Sequence, residues 1–111
     1  MNISSRREGA LKIISVTGFL DAAQASRFHE EFMIESSEED SVLLDCTALE
    51  YLDSSGLATL VNVYKALAAR NAKLVIYGFP QSILRVLRFT KLDRVFTLAN
   101  DLIEARSKAA V

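Results

Sequence analysis

Asp53-Ser54-Ser55-Gly56-Leu57 stands between a short apolar run, Val42-Leu43-Leu44-Asp45, and a strongly periodic stretch over residues 57–69. In that stretch Leu57, Leu60, Val61, Tyr64, Leu67 and Ala68 recur at i, i+3, i+4, i+7, i+10 and i+11, the spacing of one helix face. A strand leaving a sheet at Tyr51 and Leu52 must turn sharply to begin this helix near Ser55. The turn therefore puts two hydroxyls and a carboxylate at a helix start, where backbone N–H groups lack intrahelical partners. Such residues can cap the helix or hold a phosphate.

Downstream, residues 73–77 read as a strand closed by Gly78, and Pro80 takes a first-turn position of a third helix with Ile83, Val86 and Leu87 on its buried face. Val95-Phe96-Thr97-Leu98 reads as a short last strand. Asn100 or Asp101 then caps a helix carrying Leu102, Ile103 and Ala105, and residues 107–111 are expected to fray. Upstream, Leu11 and Ile13 face one way and Lys12, Ile14 and Val16 the other, which suits a strand covered partly on both sides and closed by Gly18. Ala22, Ala25, Phe28 and Phe32 recur at helical spacing behind Asp21, a suitable N-cap, and predict a helix over residues 22–34. The acidic run 35–40 reads as a solvated connector. Val42-Leu43-Leu44 is too apolar for a surface strand and belongs in the middle of the sheet. Strands alternating with helices at short spacing define an α/β fold, with helices joining the parallel strands. Pattern alone leaves the strand order open.

The chain of 111 residues, half of them hydrophobic, supports one core and is too short for two ordinary domains. A single domain over residues 1–111, with its core at about 11–103, is expected. A formal net charge of −1 offers no basic stripe, so nucleic-acid binding is not expected. No stretch approaches the ~20 apolar residues of a membrane span, and the N-terminus around Arg6 and Arg7 lacks the pattern of a secretion signal. A cytoplasmic protein without a membrane partner is the expectation. Cys46 is the only cysteine and reads as a small buried filler, with no internal disulfide available. His29, between Phe28 and Phe32 on the polar side of its helix, reads as solvated. One cysteine and one histidine without paired spacing offer no activated thiolate and no zinc set, so no metal and no cofactor are expected.

Taken with Gly18-Phe19-Leu20-Asp21 upstream and Leu74-Val75-Ile76-Tyr77-Gly78 downstream, the Asp53-Ser54-Ser55-Gly56-Leu57 turn resembles that of the anti-sigma factor antagonists, the small bacterial proteins that define the STAS domain. The resemblance runs over about residues 11–103. It implies a mixed central β-sheet with helices packed mainly on one side. It also implies that the serine directly after the aspartate, here Ser54, accepts a phosphoryl group. The family commonly has Gly-Glu-Leu-Asp near the end of an early strand. This chain has Phe19 in place of the glutamate and keeps Asp21 in register, so Phe19 is either a partner contact or an apolar residue folded under the first helix.

The chemistry of the turn suits a phosphoserine. Helix N-termini carry partial positive charge and free donors, so a phosphoryl group there gains roughly 0.3–1 kcal/mol locally and leaves the fold intact. It adds about 1.5 to 2 negative charges at neutral pH. Asp21, Asp53, Ser54, Ser55 and Gly56 are the candidate partner surface, Gly56 admitting close approach because it has no side chain. Ser55 should lie deeper than Ser54, and Asp21 and Asp53 can equally serve as turn and cap residues.

The resemblance implies that the unmodified protein, monomeric on its own, binds an anti-sigma factor with serine kinase activity. Phosphorylation of Ser54 then ends the complex and a metal-dependent serine phosphatase restores it. The same switch could serve a secretion, stress-signalling or envelope pathway with no sigma factor. An enzyme, such as a small serine hydrolase, is disfavoured: the chain has no Gly-x-Ser-x-Gly elbow and His29 is its only candidate base.

Overall fold

The computed structural model describes residues 1–110. The chain begins with β1 (Asn2–Glu8) and β2 (Leu11–Leu20), followed by α1 (Ala25–Glu35), β3 (Ser41–Asp45) and β4 (Leu49–Leu52). Then come α2 (Ser54–Ala69), β5 (Lys73–Tyr77), α3 (Gln81–Phe89), a 3-10 turn at Leu92–Arg94, β6 (Thr97–Ala99) and α4 (Leu102–Ala109). The six-stranded sheet has the order β1-β2-β3-β5-β6, with β4 paired to β2. Only β1 is antiparallel to its neighbour, so the sheet is mixed as expected.

Alternation in the strands assigns the two faces. Ile14, Val16, Val42, Leu44, Leu74 and Ile76 point into the main core, which takes Phe28 and Phe32 from α1, Leu60, Val63 and Leu67 from α2, and Ile83 and Leu87 from α3. Ile13, Leu43, Val75 and Tyr77 point the other way, against Ala105 and Ala109 of α4. Because β3 and β5 are covered on both faces, their sequences are apolar without a break.

Several boundaries differ from the sequence expectation. β1 was not foreseen: Asn-Ile-Ser-Ser-Arg-Arg-Glu is exposed along most of its length and is held by pairing with β2. Gly18 does not close β2. It adopts φ +82°, the register shifts between Gly18 and Phe19, and β2 leaves β3 to pair with β4. The buried stripe of α2 is Gly56, Thr59, Leu60, Val63 and Leu67, rotated from the face that the leucine spacing suggested. Pro80 is the N-cap of α3 rather than its first helical residue, and Val86 is 46% exposed rather than buried. The last strand is displaced to Thr97–Ala99 by the 3-10 turn. Within the expected fraying tail, α4 continues to Ala109, whose side chain is buried against the second face of the sheet; Val111 lies outside the described residues.

Candidate functional site

The site is assembled where β2 and β4 end side by side. Phe19 pairs with Tyr51 and Leu20 with Leu52, so the segments that continue them, Asp21 on one strand and Asp53-Ser54 on the other, leave the same edge of the sheet together. Asp53 is the N-cap of α2, in extended conformation. Its Oδ1 accepts from the Gly56 N–H at 2.8 Å, while Oδ2 accepts from the Ala22 N–H at 3.0 Å. One carboxylate thus fixes the first turn of α2 and ties it to the loop after β2.

Gly56 is packed inward. A Cβ at this position would come within 2.8 Å of Leu52 Cδ1 and 3.0 Å of the Leu20 carbonyl carbon. The close approach that its missing side chain allows is to β2 of the same chain. This corrects the expectation that Gly56 receives another protein's surface.

Ser54 is the first residue of α2 and is exposed. Ser55 is half-buried, as expected, and its carbonyl accepts from Thr59 Oγ1 at 3.1 Å. The cap is Asp53 and not Ser55. Among the first N–H groups of the helix, those of Gly56 and Leu57 are taken by the Asp53 side chain and carbonyl. Those of Ser54 and Ser55 have no acceptor among the described residues. Two such donors at a helix start, beside an exposed hydroxyl, favour negative charge placed there.

Asp21 does not cap α1. Its carbonyl accepts from the N–H groups of Gln24 and Ala25 at 3.0 and 2.9 Å, forming a turn, and the α-helix begins only at Ala25 behind Gln24. The Asp21 carboxylate keeps one buried oxygen, Oδ1, without a hydrogen-bond partner. Phe19 is not folded under α1. It is 52% exposed and its ring lies 5.5 Å from that of Tyr51, itself 48% exposed, giving an aromatic pair that borders the Asp21 and Asp53 turns. Phe19 stood out in the sequence; Tyr51 did not, because its role depends on the β2–β4 register.

Cys46 is fully buried in the main core, where burial and then the Asp45 charge push its thiol well above the usual range. His29 is exposed on α1. A shallow cleft of about 270 Å³ between α1 and α2 is lined by His29, Ser26, Thr59 and Asn62, with no cysteine or carboxylate in it. Among the described residues no group of His, Cys, Asp or Glu could hold a metal, and no helix is long and apolar enough to cross a membrane.

Comparison with known proteins agrees with this architecture. The sequence profile of the STAS domain matches residues 2–105, and the chain belongs to that family. The anti-sigma-B factor antagonist of Listeria monocytogenes is 32% identical over 88 residues, which cover 78% of this chain and 77% of the relative. An anti-sigma factor antagonist from Mycobacterium paratuberculosis superposes with a TM-score of 0.88 at 21% identity, over 99% of this chain and 94% of that one. The antagonist SpoIIAA in its unphosphorylated form superposes with a TM-score of 0.70 at 13% identity, over 98% and 97% of the two chains. At such identities the structural likeness establishes the fold alone.

Proposed function

We propose that this chain is an anti-sigma factor antagonist that works by partner switching in the cytoplasm, as a binding protein and kinase substrate rather than as an enzyme. Unmodified, it binds an anti-sigma factor that is also a serine kinase. That kinase phosphorylates Ser54 and the complex dissociates, and a metal-dependent serine phosphatase returns the chain to its binding state. The observation that carries this reading is the placement of Ser54: exposed, first in α2, beside two free N–H donors, on a turn that Asp53 already clamps.

The clamp gives the switch its character. Asp53 holds the turn without help from the Ser54 hydroxyl, so modification changes the surface and leaves the fold in place. A phosphoryl group adds about 1.5 to 2 negative charges beside Asp53 and Asp21. Like charge brought together at an interface costs several kcal/mol, and about 2.7 kcal/mol is already a hundredfold in affinity. The Phe19–Tyr51 pair next to this charge supplies apolar area for the unmodified complex.

Affinity capture from the native cell lysate tests the proposal, with Ser54→Ala and Ser54→Glu baits side by side. The alanine bait should retain a small ATP-binding kinase that the glutamate bait loses. Identical retention by both baits would reduce the Ser54 turn to a helix start with no switching role.

A further inference from the structure

The end of the molecule opposite Ser54 carries a local basic surface that the chain's net charge of −1 conceals, contrary to the expectation from overall charge. Strands β2 to β6 are all parallel, so Leu52 and the Ser54 turn lie at their C-terminal edge. Helix α3 starts at that edge after β5 and runs back. Its C-terminus and the 3-10 turn Leu92–Arg94 that precedes β6 therefore lie at the N-terminal edge.

Four of the chain's 13 lysines and arginines, Arg85, Arg88, Lys91 and Arg94, are concentrated here with one acid, Asp93, among them. Elsewhere Arg6, Arg7, Lys12, Arg27, Arg106 and Lys108 each have a carboxylate within 4.0 Å. Among the described residues none of the four cations on α3 and the 3-10 turn does. Between them stand three exposed apolar side chains, Val86 (46%), Val95 (42%) and Phe89, which at 90% is the most exposed large hydrophobic residue described. At ~3.6 residues per turn, Arg85 and Phe89 are one turn apart on the side of α3 away from the buried Ile83 and Leu87.

We infer that this end of the molecule is a docking surface for an anionic lipid bilayer. Phe89 projects outward with 90% of its surface exposed, so a rigid partner would need a matching pocket, whereas headgroups part around a single ring. Cations around an exposed aromatic side chain are the composition that binds anionic interfaces. A second copy of the chain is the poorer occupant, because two of the four acids in the run 35–40 are already engaged within the chain, Glu39 by Arg7 and Glu35 by Lys12, which leaves only Glu38 and Asp40 there to meet four cations. The surface faces away from Ser54, so a bilayer and a partner protein can be bound together. Attachment is peripheral, reversible and salt-sensitive.

The test is co-sedimentation of the full chain with vesicles of phosphatidylglycerol and phosphatidylcholine in equal parts, against vesicles of phosphatidylcholine alone, at low and high salt. The chain should be retained by the anionic vesicles only, and be released by salt. Each cation contributes about fivefold, so the Arg85→Ala/Arg88→Ala double variant should partition about 30-fold more weakly. Phe89→Ser should weaken retention without altering its salt dependence, and Ser54→Glu should leave it unchanged. All these side chains are exposed, and circular dichroism checks that each variant is folded. Absence of retention, equal retention on neutral vesicles, or wild-type retention of the double variant would overturn the inference. Self-association in sedimentation velocity that the double variant abolishes would also overturn it, assigning the surface to a second copy.

Discussion

Replacing Gly56 by alanine separates a turn packed against its own sheet from a turn left open for a partner. The backbone conformation of Gly56 is not left-handed, so the effect is steric. The new Cβ would stand 2.8 Å from Leu52 Cδ1 and 3.0 Å from the Leu20 carbonyl carbon, nearer still to its oxygen. Favourable carbon contacts begin at about 3.5 Å, so the first turn of α2 must move off β2 by half an ångström or more on the order set by that distance. The Leu52 methyl can rotate away. The Leu20 carbonyl cannot, because it is backbone and accepts from the Asp53 N–H at 3.4 Å. Displacement also stretches both hydrogen bonds of the Asp53 carboxylate. Overpacking costs about 1–3 kcal/mol and a weakened cap about 1 kcal/mol, against about 1 kcal/mol gained because alanine is the better helix former. The net expectation is a loss of about 1–3 kcal/mol. At about 4 °C per kcal/mol for a chain of this size, Tm falls by about 4–12 °C. Urea unfolding followed by circular dichroism should show a lower midpoint with an unchanged slope. Wild-type stability together with weakened partner binding would refute the inward packing and return Gly56 to the outer surface.

Three further outcomes are expected. Asp53→Ala removes both ends of the clamp and should destabilise by about 2 kcal/mol in thermal or urea unfolding; an unchanged midpoint would show that the clamp contributes nothing. Asp21→Ala removes a buried oxygen that has no partner, so stability should hold or rise slightly while affinity for the anti-sigma factor changes. A stability loss with unchanged affinity would make Asp21 a purely structural turn residue. Tyr77 has its phenol pushed up to about 12, first by burial and then by the Asp45 charge, above the ordinary value of 10.0. The folded state then holds this proton more tightly than the unfolded one. Its contribution is complete below pH 10 and is lost as pH rises from 10 towards 12. Tyr77→Phe should flatten this alkaline limb in unfolding experiments across that range, and an unaltered limb would contradict the assignment.

The parts of this fold that could be read from sequence are those whose apolar residues carry a clear pattern: the helical period of α2, and the unbroken apolar runs of β3 and β5, which are covered on both faces. Their order is enough for an α/β sheet. β1 escaped because an exposed edge strand with Ile3 as its one large apolar side chain has no alternation to detect; backbone pairing with β2 holds it. The continuation of α4 escaped because alanines 105 and 109 make its buried contact, and small side chains hardly raise a periodic signal. On α2 the large residues misled. Gly56, Thr59 and Val63 form part of the buried stripe, while Leu57, Val61 and Tyr64 lie along its margin. At the site, the turn chemistry placed two hydroxyls and a carboxylate at a helix start and the family resemblance singled out Ser54, but the inward packing of Gly56 and the partnership of Phe19 with Tyr51 depend on β2 leaving β3 for β4 at Gly18, a change of register that no local pattern announces.

The central claim is that charge on Ser54 controls one binding surface without altering the fold. It is tested most directly by titration calorimetry of the protein retained by the Ser54→Ala bait, with the unmodified chain and with the chain stoichiometrically phosphorylated on Ser54. The account predicts that the phosphorylated chain, with an unchanged circular dichroism spectrum, binds about a hundredfold more weakly or not measurably. Equal affinity of the two forms would contradict it, and so would weaker binding accompanied by loss of the folded spectrum.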